Sequence, residues 1–141
     1  MSGVEVLSLV ANVFQVINFA SETIKLCNAI YCGKAPDENL GEYASTLQSL
    51  SSEVQKHYQA EGSLNTAERE LGRIARKCAI AARALQEEVG FATAHHARGD
   101  LVATLHVAFK TLWRRKRLAR LEGSLRQYQG RMESHLIFRV W

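Results

Sequence analysis

Sixteen consecutive residues without a charge lie between Glu5 and Glu22, and they constrain the fold of this chain more than any other stretch. The run reads VLSLVANVFQVINFAS, and its polar residues recur mostly every three or four positions, which indicates a helix with one narrow polar stripe. Such a helix spans about 24 Å, short of the roughly 30 Å core of a bilayer. No basic residue precedes the run, so we do not expect a secretory signal. The segment is too apolar for an ordinary surface helix, and we expect other helices to cover it.

The rest of the chain has the pattern of those covering helices. With 141 residues, a single proline and no β-type alternation, the sequence predicts an all-α domain over residues 1–141, a single bundle of four to five helices with a long hydrophobic N-terminal helix. Gly33 is predicted to cap the first helix in the left-handed conformation. The two glycines of GFATAHHARG predict the longest loop, and a phase slip in the apolar pattern predicts a kink or turn within the basic tetrad at 114–117. The predicted helices cover about 4–32, 38–60, 65–90, 100–115 and 118–138.

The three cysteines favour a reducing compartment. Cys27, Cys32 and Cys78 are odd in number and lack close metal-ligand spacing, so we expect free thiols in a cytoplasmic protein. Cys27 and Cys32 lie five positions apart, which places them on different faces of a helix. A role as small apolar residues is expected rather than a disulfide.

The net charge of +4 conceals an asymmetry between the two halves of the chain. Residues 1–70 carry nine acidic and four basic residues, a net −5, whereas residues 71–141 carry five acidic and fourteen basic residues, a net +9. This distribution predicts an anionic partner for the C-terminal half, which by charge alone is a lipid headgroup, a nucleic acid or an acidic protein face.

The basic charge is densest in one short segment. Its members form a predicted basic patch: Lys110, Arg114, Arg115, Lys116, Arg117 and Arg120. One interpretation is a solvated helix end whose cations favour the helix dipole; the other is a site for anionic lipid. Trp113 is compatible with a membrane interface and equally with a core position. Nucleic acid is not expected, since no binding motif accompanies the charge.

Four ordered segments carry a resemblance to a known family. They are LSLVANVFQVINFASETIKL, ENLGEYASTLQSLSSEV, LGRIARKCAIAARALQEEV and FKTLWRRKRLARLEGSLRQYQGRMESHL, and together they cover nearly the whole chain. In this order they resemble the HeLo-like N-terminal domain of fungal STAND (NLR-type, NACHT-associated) proteins. The most particular segment is the last, in which a tryptophan and a basic cluster precede a leucine-spaced helix.

The resemblance implies a non-enzymatic effector domain of programmed cell death and non-self recognition (heterokaryon incompatibility). In that family the domain precedes an NTPase and a repeat sensor. It implies here a cytoplasmic protein that forms a homo-oligomer on activation and engages anionic lipids at the plasma membrane. This chain contains no GxxxxGK[ST] phosphate loop, so the NTPase and sensor would be encoded separately or lost. A fragment, a stand-alone effector and a decayed gene all remain open, as does a helical protein-protein interaction adaptor that does not bind membrane.

The first helix has two interpretations that are compatible with each other. It is a core helix of the resting bundle, or it is released to form a membrane or oligomer helix after activation. The residues assigned to that second role are Leu9, Val13, Phe14, Gln15, Val16, Ile17 and Asn18. The polar stripe of Asn12, Gln15 and Asn18 would suit hydrogen bonding between helices of an oligomer.

Catalytic chemistry has little support in the sequence. The five histidines are scattered, and His95 and His96 have no cysteine at ligand spacing. No nucleophile elbow, carboxylate pair or phosphate-cradling loop is present among the motifs. We therefore expect no enzymatic activity, no cofactor, no metal and no catalytic residue.

Overall fold

The computed structural model describes the backbone of residues 3–59, 66–98 and 105–140, and the side chains of residues 7–56, 69–97 and 109–134. Four helices make up the described chain, namely α1 (Gly3–Tyr31), α2 (Leu40–Gln59), α3 (Thr66–Arg98) and α4 (Leu105–Val140). The predicted all-α bundle with a long N-terminal helix is confirmed. The predicted helix starts at residues 65 and 100 lie outside the described residues.

Helix α1 lies in the middle of the described bundle together with α3, because each of these two helices contacts the other three. The inward face of α1 is apolar apart from Thr23, whose hydroxyl donates to the carbonyl of Phe19 at 2.7 Å, and positions spaced by three or four residues have almost no exposed surface. These are Leu9, Val13, Val16, Ala20, Ile24 and Cys27. Helix α3 packs against α1 along a face that includes Leu71, Ile74, Cys78 and Leu85, and it contacts α2 and α4 as well. Burial of these side chains supplies the main stabilisation, about 1.5–3 kcal/mol for each large aliphatic residue.

The end of α1 follows the predicted glycine cap. Gly33 has a φ of +96°, its N–H donates to the carbonyl of Ile30 at 3.0 Å, and the N–H of Lys34 donates to the carbonyl of Ala29 at 3.0 Å. This pair of bonds is the Schellman arrangement, which satisfies the last carbonyls of the helix. At the start of α2 the Asp37 carboxylate accepts a hydrogen bond from the Asn39 N–H at 2.8 Å. The connection between α1 and α2 is therefore specified by local chemistry.

The predicted loop at 90–99 is wrong over residues 90–98, because α3 continues to Arg98, and Gly99 lies outside the described residues. Three alanines in the segment have high helix propensity, and Ala92 is fully buried against the core. His95 adds an edge-on ring contact with Tyr31, with 5.2 Å between the ring centroids. A single glycine inside a helix costs only about 1 kcal/mol, which this packing offsets.

The predicted break within the basic tetrad is also wrong, because α4 is one continuous helix through residues 114–117. The buried residues Leu118, Leu125 and Met132 repeat every seven positions. Arg114 lies one turn before Leu118 and continues the same face toward α3. The apolar pattern changes phase because arginines occupy the inward positions there.

Candidate anion-binding face

The six bases of the predicted basic patch do not form one surface. Helix α4 turns Arg114 and Arg117 toward α3, with their side chains 21% and 32% exposed. The other four are exposed along α4: Lys110, Arg115, Lys116 and Arg120. Within the part of the chain that the structure describes, none of these four forms an ion pair. The helix does not end at this segment, so the interpretation as a helix end does not hold.

The two inward arginines are paired with one buried carboxylate. Oε1 of Glu88, from α3, lies 3.1 Å from Arg114 Nη1 and 3.2 Å from Arg117 Nη1. The Glu88 side chain has no exposed surface, and its Oε2 is buried without a hydrogen-bond partner among the described residues. A second acid, Glu87, lies 3.9 Å from Arg117 Nη2 but is 69% exposed. The strong pairing is therefore the one to Glu88, because a solvent-exposed ion pair contributes little.

Sequence reasoning did not identify Glu88, although the pattern contains a signal for it. The inward positions of α3 run Cys78, Ala81, Leu85, Glu88 and Ala92, at spacings of three and four. An acidic residue at such a position requires a buried cation partner, because an unpaired buried charge is very costly. Arginines at the inward positions of α4 meet that requirement.

The guanidinium of Arg114 also packs against two aromatic rings at the edge of this site. Its guanidinium carbon lies 3.6 Å from the centroid of the Phe91 ring and 4.8 Å from that of Trp113. The guanidinium of Arg117 lies 5.9 Å from the same Trp113 ring. These are cation-π distances, which favour a planar guanidinium over an ammonium. The rings and the buried ion pair therefore form one cluster.

Large apolar side chains are exposed beside the four outward bases. Phe109 is 64% exposed, Trp113 50%, Leu112 49% and Phe91 41%. The sequence pattern predicts Phe109 and Leu112 on the inward face of α4, and this is wrong. The phase of the helix is set by Leu118, Leu125 and Met132, which turns the two residues outward. Several large exposed apolar groups in a segment rich in cations favour an interaction surface.

A shallow groove of about 250 Å³ lies on the same face of α4. Its walls are one aromatic ring, two guanidinium groups, an aliphatic side chain and a hydroxyl, provided by Trp113, Arg117, Arg120, Leu121 and Ser124. The groove is open to solvent and positively charged. Its chemistry suits an anionic group and offers no base or nucleophile with a raised reactivity.

The residues assigned to a membrane or oligomer helix divide between core and surface. Leu9, Val13, Val16 and Ile17 are buried and Phe14 is partly buried, whereas Gln15 and Asn18 are exposed. By length and composition alone, Leu7–Tyr31 is long and apolar enough to cross a membrane, although it contains Glu22 and Lys25. The core helix of a globular bundle meets the same criterion, and the buried face of α1 corresponds to that case.

The thiols and histidines form no reactive site in the described chain. All three cysteines are free, and Cys27 and Cys78 are buried while Cys32 is exposed. Burial raises the pKa of Cys27 to about 12, with a further contribution from the negative charge of Glu88, and burial alone raises the pKa of Cys78 to about 12. Thiols with such pKa values are poor nucleophiles at neutral pH. No group of three potential metal ligands gathers among the described residues.

Comparison with protein-family models, with curated proteins and with solved structures gives no match to this chain. The contacts and charges of the described residues therefore carry the functional proposal.

Proposed function

We propose that this chain is a non-enzymatic signalling domain that self-associates and binds an anionic membrane, as the resemblance to HeLo-like domains implies. The single observation that carries the membrane proposal is the exposed basic and apolar surface of α4 over residues 109–120. There Lys110, Arg115, Lys116 and Arg120 are exposed together with half-exposed aromatic and aliphatic side chains. Each base near an anionic surface contributes about 1 kcal/mol, and tryptophan favours the headgroup region.

Helix α1 would serve this function as a sheltered helix in the resting protein. Its inward face is covered by the other helices, so the surface available for contact with a second copy is the outward one, which is mostly polar but includes the exposed Leu7. Gln15 and Asn18 lie on that exposed side and carry amide groups that can donate and accept hydrogen bonds. Self-association through this side would leave the core intact.

The alternative is an interaction adaptor that binds a protein and never binds lipid. The observation that favours it is the exposure of Phe109, Leu112 and Trp113, which would suit the apolar centre of a protein interface as well as a bilayer. The four surrounding bases would then select an acidic partner. The two candidates differ in whether a lipid surface alone suffices for binding.

A vesicle-binding experiment tests the membrane proposal. The full chain is sedimented with vesicles of phosphatidylcholine alone and with vesicles containing phosphatidylserine, at 0.1 M and 1 M salt. We expect binding to the anionic vesicles only, and weaker binding at 1 M salt because the Debye length falls from about 10 Å to about 3 Å. The Trp141→Phe variant leaves Trp113 as the only tryptophan, and its emission should shift to shorter wavelength on binding.

Two matched sets of variants distinguish the effect of the local patch on vesicle binding from the effect of overall net charge. Changing Arg115, Lys116 and Arg120 to Gln should weaken binding by roughly a hundredfold, at about 1 kcal/mol for each base. Changing the exposed Lys34, Lys56 and Lys77 to Gln removes the same net charge elsewhere and should have a much smaller effect. Equal effects of the two sets, or no binding of the wild type at 0.1 M salt, would reject the membrane proposal. Release of a trapped dye would then distinguish permeabilisation from simple binding.

A further inference from the structure

We infer that Glu88 is an internal competitor for the anionic partner, which holds the charges of Arg114 and Arg117 in a buried ion pair and thereby sets the affinity of the patch. This inference depends on the proposed membrane function. It assigns a role to a residue that touches no part of the exposed surface. At rest the patch would present four bases, and on release from Glu88 it would present six.

The Glu88 carboxylate is paired through only one of its two oxygens. A single oxygen, Oε1, receives both guanidinium groups, at 3.1 Å from Arg114 and 3.2 Å from Arg117. The second oxygen is buried with no partner among the described residues. A carboxylate has acceptor sites on both oxygens, so this cluster is incompletely satisfied and costs more than a fully bonded one. Such an incompletely satisfied ion pair contributes little net stability. Its arginines are therefore suited to exchange the Glu88 carboxylate for an anion outside the protein.

Arg114 and Arg117 lie between the buried carboxylate and the protein surface. Both side chains reach the surface, with about a fifth of Arg114 and a third of Arg117 exposed, while Glu88 is fully enclosed. The guanidinium of Arg114 lies over the ring of Phe91 and near that of Trp113, and these rings are about half exposed. Arg117 also lines the open groove beside Arg120. A rotation of the arginine side chains would therefore bring both charges to the anionic surface without unfolding α4.

Binding of an anion at the surface would therefore be coupled to the packing of α3 against α4. An anion that binds Arg114 or Arg117 removes a cation from Glu88. The negative charge of this buried carboxylate is then less well neutralised. The α3 to α4 contact is then weakened when the patch is occupied. By reciprocity, a change that weakens the Glu88 pairing strengthens binding of the anion.

The experiment compares Glu88→Gln with Glu87→Gln on phosphatidylserine vesicles. The two variants gain the same net charge at adjacent positions, but Glu87 is exposed and makes only the 3.9 Å contact. We expect Glu88→Gln to bind at least about fivefold more tightly than Glu87→Gln, the gain from one freed base near the surface. Circular dichroism at the assay temperature checks that both variants are folded. Equal affinity of the two folded variants, with the wild type still bound to the vesicles, would overturn the role of Glu88 and leave the membrane proposal intact.

A second comparison keeps the inference testable if Glu88→Gln does not fold. In the wild-type background, Arg114→Gln should weaken vesicle binding clearly less than Arg115→Gln, because Arg114 is engaged by Glu88 while Arg115 is exposed. Where Glu88→Gln folds, the cost of Arg114→Gln should rise in that background and the cost of Arg115→Gln should not. Equal costs of the two single variants in the wild type would overturn the inference. Absence of wild-type binding would overturn both the inference and the proposed function.

Discussion

Glu88 and Arg114 lie 26 positions apart in the chain and on different helices, yet Oε1 of the one is 3.1 Å from Nη1 of the other. The contact joins α3 to α4 at the place where the apolar pattern of α4 is interrupted. Arg117 completes the cluster at 3.2 Å. The basic segment consequently has two functions in the fold, since part of it is structural and part of it is surface.

The first prediction concerns that division. The double variant Arg114→Gln, Arg117→Gln leaves the buried Glu88 without a cation, and we expect it to lower the free energy of unfolding by about 3 kcal/mol. The matched variant Arg115→Gln, Lys116→Gln changes two exposed bases and should stay within about 0.5 kcal/mol of the wild type. Urea unfolding followed by circular dichroism measures both. Similar midpoints for the two double variants would show that the Glu88 cluster contributes no stability.

The second prediction separates core from surface along α1. Val13 has no exposed surface, so Val13→Asp buries an unpaired carboxylate and should unfold or loosen the bundle. Gln15→Asp introduces the same residue at an exposed position two residues away and should leave the thermal midpoint nearly unchanged. Gln15→Leu and Asn18→Leu should also fold normally while reducing vesicle leakage, if self-association uses this side. Leakage that falls only in proportion to stability would assign α1 to the core alone.

The third prediction uses glycine substitutions to test the extent of α3. A Cβ at Gly90 would meet nothing within 4 Å, so Gly90→Ala should raise the free energy of unfolding by about 0.5–1 kcal/mol. The opposite result is expected at Gly33, where φ is +96° and an alanine would be strained by about 1 kcal/mol or more. Thermal or urea unfolding gives both values. No gain at Gly90 would argue against a helix through residues 90–98.

The fourth prediction concerns the buried thiols. In the native protein at pH 8, a thiol-specific reagent should label Cys32 rapidly, and it should label Cys27 and Cys78 only after unfolding. Mass spectrometry of labelled fragments identifies the sites. Fast labelling of Cys78 in the folded protein would contradict the burial of α3 against α1.

The raised thiol pKa values also predict a pH dependence. Cys27 and Cys78 keep their protons in the folded state up to about pH 12, whereas the unfolded thiols lose them near pH 9. The folded state therefore binds more protons between these values, and stability falls as pH rises through the window, by about 1.4 kcal/mol per pH unit for each thiol. Cys78→Ala should make the fall between pH 9 and 10.5 less steep. An unchanged slope would show that Cys78 does not titrate differently on folding.

The helical class, the burial of one face of α1 and the end of that helix at Gly33 follow from the amino-acid sequence alone. These features depend on local chemistry and on periodicity, because a face that is apolar at every third or fourth residue must be buried wherever it packs. The buried positions Leu9, Val13 and Val16 correspond to that pattern. The division of Cys27 and Cys32 between interior and surface follows from the same helical geometry.

The continuity of α3 and α4 and the division of the basic patch depend instead on tertiary contacts. Periodicity records which residues are apolar, and it carries no information on which polar residues are neutralised by a partner on another helix. Glu88 makes Arg114 and Arg117 acceptable at inward positions of α4, so the helix continues where the apolar pattern stops. Ala92 and the contact of His95 with Tyr31 likewise stabilise the last turns of α3, where the glycines alone predict a loop. In both places the deciding energy comes from contacts between residues far apart in the chain, which exist only after the helices have packed.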